Sequence, residues 1–131
     1  MTAPLAEEMS RELPLGVHAV GVARHVVSST LEGWGVSSED IASAELLASE
    51  LVTNAVLYGH GAHTLTLRFV EPTLRILVGD SSPGLPTRRS ADDDAEIGRG
   101  MQLVEAYATC WGVEPHDGGK TVWCEIVLTG R

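Results

Sequence analysis

The chain is poor in positive charge and in sulfur. One lysine, Lys120, and eight arginines face 18 acidic residues, for a formal net charge of −9. That balance excludes the electrostatic footprint that duplex DNA or an anionic membrane selects, and leaves basic proteins or metal-chelated anions as partners. Two cysteines, Cys110 and Cys124, are too few and too far apart for a zinc site of CxxC type. If the last hairpin pairs Asp117 with Lys120, Cys124 falls opposite Val113 and Cys110 points to the other face of the sheet. Free buried thiols are then expected rather than a disulfide. No apolar run approaches the ~20 residues of a membrane helix, and no basic-then-apolar leader opens the chain, so a soluble, cytoplasmic protein is expected. The five histidines show no HExxH spacing, and no serine sits in a recognisable nucleophile motif.

What is present suffices for one domain. At 131 residues, 44% of them hydrophobic, a single core needs no staples. Residues 1–10 are expected to be flexible, with a short strand around Arg11 to Leu15. Val17, Val20, Ala23, Arg24, Val27 and Leu31 then recur at helical spacing until Gly33-Trp34-Gly35. Ser37, with Asp40 three residues on, approximates a capping box and opens a second helix that Gly59 and Gly61 close. Leu65, Leu67 and Phe69, then Leu74, Ile76 and Val78, alternate with polar residues around Glu71-Pro72-Thr73, the pattern of a hairpin buried on one face. Asp117-Gly118-Gly119-Lys120 marks a second hairpin between Cys110 to Glu114 and Val122 to Leu128. Helices followed by a strand meander predict an α+β fold, a two-layer sandwich with a mostly antiparallel sheet and helices on one face.

The second helix carries an anomaly. Glu50 and Asn54, one turn apart, lie between Leu47 and Leu51 on one side and Leu46 and Leu57 on the other. Burying a carboxylate and a carboxamide without partners costs several kcal/mol, so either solvent reaches them or something polar binds there.

A long irregular stretch, Asp80 to Gly100, separates the hairpins, and such a connection is usually functional or mobile. Gly98-Arg99-Gly100 opens a helix, where backbone N–H groups can turn toward an anion; a plain tight turn is the simpler alternative. Asp80 ends a buried strand and either faces a crevice or caps the following turn. Lys120 reads first as an exposed lysine at a hairpin, with a phosphate contact as the alternative. Arg88 and Arg89 read equally as phosphate or partner contacts and as solvated charges. Trp34, Trp111 and Trp123 read as core or groove packing.

Taken in order, Glu-Leu-Val-Thr-Asn-Ala, Asp-x-x-Pro-Gly-x-Pro, Gly-Arg-Gly-Met-x-Leu-Val and Gly-Lys-Thr-Val-Trp resemble the GHKL ATP-binding domain of gyrase, Hsp90, histidine kinases and MutL. Within that group they resemble the anti-sigma-factor serine kinases. The resemblance implies a Bergerat-type ATP-binding fold and a protein-serine kinase that uses Mg²⁺ and ATP. The substrate would be a small antagonist protein, and a sigma factor would be sequestered in the other state; a second copy of the chain is a further candidate partner. By position it implies Glu50 as general base, Asn54 as Mg²⁺ ligand, and Asp80 as acceptor for the adenine amino group with Thr121 in support. Gly84, Gly98, Arg99, Gly100 and Met101 would complete the nucleotide site, under a lid over residues 85–97. Ser82 stands where the family's turn usually has its first glycine. That departure keeps open a second reading, a binding module with a degenerate nucleotide site.

Overall fold

The computed structural model describes residues 6–59, 61–80, 101–116 and 119–129. In chain order the elements are β1 (Ala6–Leu13), α1 (His18–Gly33), α2 (Ser38–Tyr58), β2 (His63–Val70), β3 (Thr73–Asp80), α3 (Gln102–Tyr107), β4 (Cys110–His116) and β5 (Gly119–Val127). The five strands form one sheet in the order β1-β2-β3-β5-β4, and every ladder is antiparallel. The expected mostly antiparallel sheet is therefore wholly so among the described residues. β5 returns between β3 and the edge strand β4, and its first residues lie beside the last residues of β3.

Alternation decides which face of the sheet is covered. Leu65, Leu67 and Phe69 of β2, Leu74, Ile76 and Val78 of β3, and Val122, Cys124 and Ile126 of β5 are buried together with the apolar sides of the helices. Their neighbours Thr64, Arg68, Arg75, Trp123 and Glu125 line the other face. There Arg75 lies 4.2 Å from the Trp123 ring centroid and its Nε is 3.6 Å from Glu125 Oε1, a stacked cation held by a partly exposed carboxylate.

α2 forms the middle of the helical layer. Ser37 accepts a hydrogen bond from the Asp40 amide at 3.3 Å, as the capping pattern predicts. Leu47, Ala48, Leu51 and Val52 are fully buried, against α1 on one side and the sheet beneath. α1 presents Ala19, Ala23, Val26, Val27 and Leu31 to the core, whereas Val17 is 82% exposed and Arg24 is exposed. Its buried face is thus rotated from the predicted one toward the small residues that let two helices approach closely.

Three expectations need correction. β1 begins at Ala6, so residues 6–10 belong to a paired strand instead of a flexible end, and Leu15 lies outside it, 67% exposed. The last hairpin is shifted by two residues: Cys124 pairs with Trp111, Val122 with Val113, and His116 with Gly119. An even shift leaves each side chain on its predicted face. Cys110 is consequently on the outer face and exposed, not buried, while Cys124 is a buried free thiol. Burial pushes Cys124 up to about 12, and Cys110 is also raised, by desolvation first and then by the Glu125 carboxylate.

Asp40 does a second task beyond its place in the first turn of α2. Its carboxylate accepts from the Thr129 amide at 2.9 Å and from the Thr129 hydroxyl at 3.2 Å, pinning the chain after β5 to the start of α2. Asp40 is 7% exposed, so its removal loses two hydrogen bonds to a charged acceptor at the edge of the core. Asp40→Ala is expected to lower stability by about 1–3 kcal/mol, read in urea as a lower midpoint at unchanged m-value.

Candidate functional site

The site grows from the way α2 ends. Gly59 caps the helix, its amide donating to Ala55 O at 2.8 Å. Around this cap gather the first residue of β2, the last of β3 and the first two of β5. His63 and Asp80 are cross-strand partners, both on the helix-facing side of the sheet, and their side chains are each 7% exposed. His63 Nε2 lies 3.0 Å from Asp80 Oδ1, a close N···O approach in which the ring N–H is not aligned for a hydrogen bond.

Two glycines make room for the carboxylate. A Cβ on Gly59 would lie 2.6 Å from His63 Nε2 and 3.0 Å from Asp80 Oδ1, and one on Gly119 would lie 2.5 Å from Asp80 Oδ2. Backbone without a side chain therefore packs on both sides of the Asp80 carboxylate, with an imidazole at one oxygen. Lys120 follows on the buried face, 8% exposed, its Nζ donating to Tyr58 O at 3.5 Å. The expectation of an exposed lysine fails because β5 starts at Gly119, which puts Lys120 inside the strand on the same face as Val122. An ammonium at the carboxyl end of α2 also opposes the partial negative charge of the helix terminus.

The polar pair of α2 leads toward this cluster. Asn54 is 4% exposed, and Glu50 one turn earlier is partly exposed. Leu47 and Leu51 on one flank are fully buried, but Leu46 and Leu57 on the other are 41% and 65% exposed. The pair thus marks a border of the core and not an interruption of it. At ~1.5 Å rise per residue, Glu50 lies about 6 Å before Asn54 along the helix, and Gly59 with its Asp80 contact about 7.5 Å beyond it. Acceptors thus recur along one helix toward a buried carboxylate at its end.

A model of the histidine kinase-like ATPase domain matches residues 13–126. The chain belongs to that family. Among curated proteins none matches at a significant level. Among solved structures, the crystal structure of the RsbU and RsbW domains of Rv1364c from Mycobacterium tuberculosis superposes with a TM-score of 0.69 at 21% identity. The match covers 95% of this chain and 32% of that one, so this histidine kinase-like ATPase domain spans about a third of the chain it resembles in fold.

Within the domain, the remaining expected site residues are dispersed. Met101 is fully buried immediately before α3, and its carbonyl accepts from the Glu105 amide at 2.9 Å. Thr121 pairs with Gly79 and faces the outer side of the sheet. There it lines a cavity of about 230 Å³ with Thr64, Thr66, Arg68, Leu77, Gly79 and Asp80, whereas the Asp80 carboxylate meets His63 on the helix side. Gly84, Gly98, Arg99 and Gly100, with Ser82, Arg88, Arg89 and the lid over 85–97, lie outside the described residues. Among the described residues no helix is long and apolar enough to cross a membrane.

Sequence reasoning missed His63, Gly59 as a contact of the carboxylate, Gly119, and the burial of Lys120. Strand parity carried a signal for His63, which extends the buried series Leu65, Leu67, Phe69 by one step. The close approach at Gly119 yields a direct test. Gly119→Ala forces its methyl group onto the closely packed Asp80 carboxylate, and is expected to destabilise the domain by about 1–3 kcal/mol, read as a lowered thermal midpoint.

Proposed function

We propose that the chain binds Mg-ATP and transfers the γ-phosphoryl group to a serine or threonine of a small antagonist protein, sequestering a sigma factor in its other state. The observation that carries this reading is the Asp80 carboxylate, buried at the end of the helix that bears Asn54 and Glu50. A carboxylate at 7% side-chain exposure between two glycines suits a flat ligand that brings an N–H donor. The exocyclic amino group of adenine is such a donor. Membership of the histidine kinase-like ATPase domain family and the fold shared with the RsbU and RsbW domain structure support the same reading.

Each residue has a chemical task in this proposal. Asp80 accepts from the base. Asn54 offers a carboxamide oxygen, a hard ligand suited to Mg²⁺. Glu50, partly exposed and one turn away, is placed to accept the proton of an incoming hydroxyl. Bound Mg²⁺ supplies charge neutralisation on the phosphates, and positioning is most of what phosphoryl transfer asks of the protein. The partner proteins and a second copy of the chain belong to the same proposal, as does a cytoplasmic location.

Calorimetric titration with ATP tests the first step. Native protein is expected to bind ATP more tightly with Mg²⁺ than without, and Asn54→Ala to lose that increment by about tenfold, or ~1.4 kcal/mol. Glu50→Gln is expected to keep nucleotide affinity within about twofold, since a base acts on the hydroxyl and not on binding. No binding by the native protein contradicts the kinase reading and leaves a sequestration module with a degenerate site.

A further inference from the structure

We propose that the flank of α2 bearing Leu46 and Leu57, together with Tyr107 of α3, is a docking surface for a basic amphipathic helix of a partner protein. The proposal goes beyond the nucleotide reading and needs no nucleotide. Its centre is a cavity of about 260 Å³ lined by Ala42, Ser43, Leu46 and Tyr107. That lies below the roughly 300–1,000 Å³ of small-molecule sites and suits one bulky side chain. Leu46 is 41% exposed and Tyr107 64%, and Leu57, further along α2, is 65% exposed. At about 100° and ~1.5 Å per residue, Leu57 returns to within about 20° of Leu46 and stands about 16 Å beyond it. The two leucines therefore share one stripe, with Glu50 between them. A helix laid in such a groove is held by apolar anchors that repeat at this spacing.

Charge identifies the occupant. Besides Asp40, α2 and α3 carry Glu39, Glu45, Glu50 and Glu105, and neither helix has a Lys, Arg or His. Asp40 is engaged at Thr129, but no ion pair among the described residues involves the other four. The outer face of the sheet differs, for there Arg68 meets Glu8 and Arg75 meets Glu125 across neighbouring strands. Glu39 lies about two turns before Leu46 on the same stripe and Glu50 about one turn after it. The apolar groove is thus bordered at both ends by carboxylates with no cation of their own helices to match them. A partner helix with one bulky apolar residue flanked by Lys or Arg complements that pattern. An anionic membrane would meet the same carboxylates and be repelled.

The test titrates the full chain, free of nucleotide, into two fluorescein-labelled helical peptides of about 18 residues, read by anisotropy. Both peptides carry leucines along one face, flanked by lysine in one and by glutamate in the other. The lysine peptide is expected to bind about tenfold more tightly than the glutamate peptide, or better. Leu46→Ser and Leu57→Ser, at exposed positions that the core does not use, are each expected to weaken the lysine peptide about tenfold. Glu39→Lys combined with Glu50→Lys is expected to weaken the lysine peptide and strengthen the glutamate peptide. Glu12→Lys combined with Glu114→Lys makes the same change of net charge on exposed strand positions, and is expected to leave both affinities within about twofold. Equal loss from the two charge pairs reduces the effect to attraction by net charge and overturns the proposal. So does equal affinity for the two peptides, absence of binding, or binding indifferent to Leu46 and Leu57. A dimer that sedimentation detects and Leu46→Ser dissociates assigns the surface to a second copy, and overturns it as well.

Discussion

A single buried carboxylate organises this end of the molecule. Asp80 sits where β3 runs out beneath the end of α2, and a charge this far from water must be matched locally, since removing the partner of a buried charge typically costs about 3–5 kcal/mol. The surrounding chain meets that demand by subtraction as much as by addition. His63 brings its Nε2 to 3.0 Å from Oδ1, while Gly59 and Gly119 supply backbone that can approach without a Cβ. The point at which α2 stops, the first residue of β2 and the first residue of β5 are all constrained by the same group.

α2 carries two duties that pull against each other. Its buried side, from Ile41 through Leu47 and Leu51 to Ala55, is needed to hold the helical layer to the sheet. Its border bears Glu50 and Asn54, which weaken that packing. The compromise is visible in exposure: the flank beyond the polar pair opens at Leu46 and Leu57, so the helix stays anchored by one side while the other reaches solvent. Asp40 and Thr129 tie the start of the same helix to the end of the chain. The start of the helix is thereby tied to the chain that follows β5.

Much of the architecture was readable from periodicity. The hairpin of β2 and β3, the span of α2 and its Ser37 cap follow from patterns local to a few residues, and the four ordered motifs pointed to the histidine kinase-like ATPase family. β1 was underestimated because its polar, alternating sequence becomes a strand only by pairing with β2, a contact more than fifty residues away in the chain. The β4–β5 register slipped by two residues because Gly118 and Gly119 offer competing turn positions, and an even slip leaves the hydrophobic pattern unchanged. His63 is legible by parity, as one further step of the buried series in β2, but carries no metal-ligand spacing that would single it out. Lys120 was misplaced because a lysine near a glycine turn usually faces water, whereas here the strand begins one residue earlier.

The proposed function requires the nucleotide base to bind at the Asp80 end of α2. Backbone amide shifts of the native chain, recorded on adding Mg-ATP, address this most directly. The largest changes are expected at Gly59, His63, Asp80, Gly119 and Asn54, with little change at Thr66 and Arg68 on the outer face of the sheet. Changes confined to Thr64, Thr66, Arg68 and Thr121 would place the ligand in the outer cavity and contradict it.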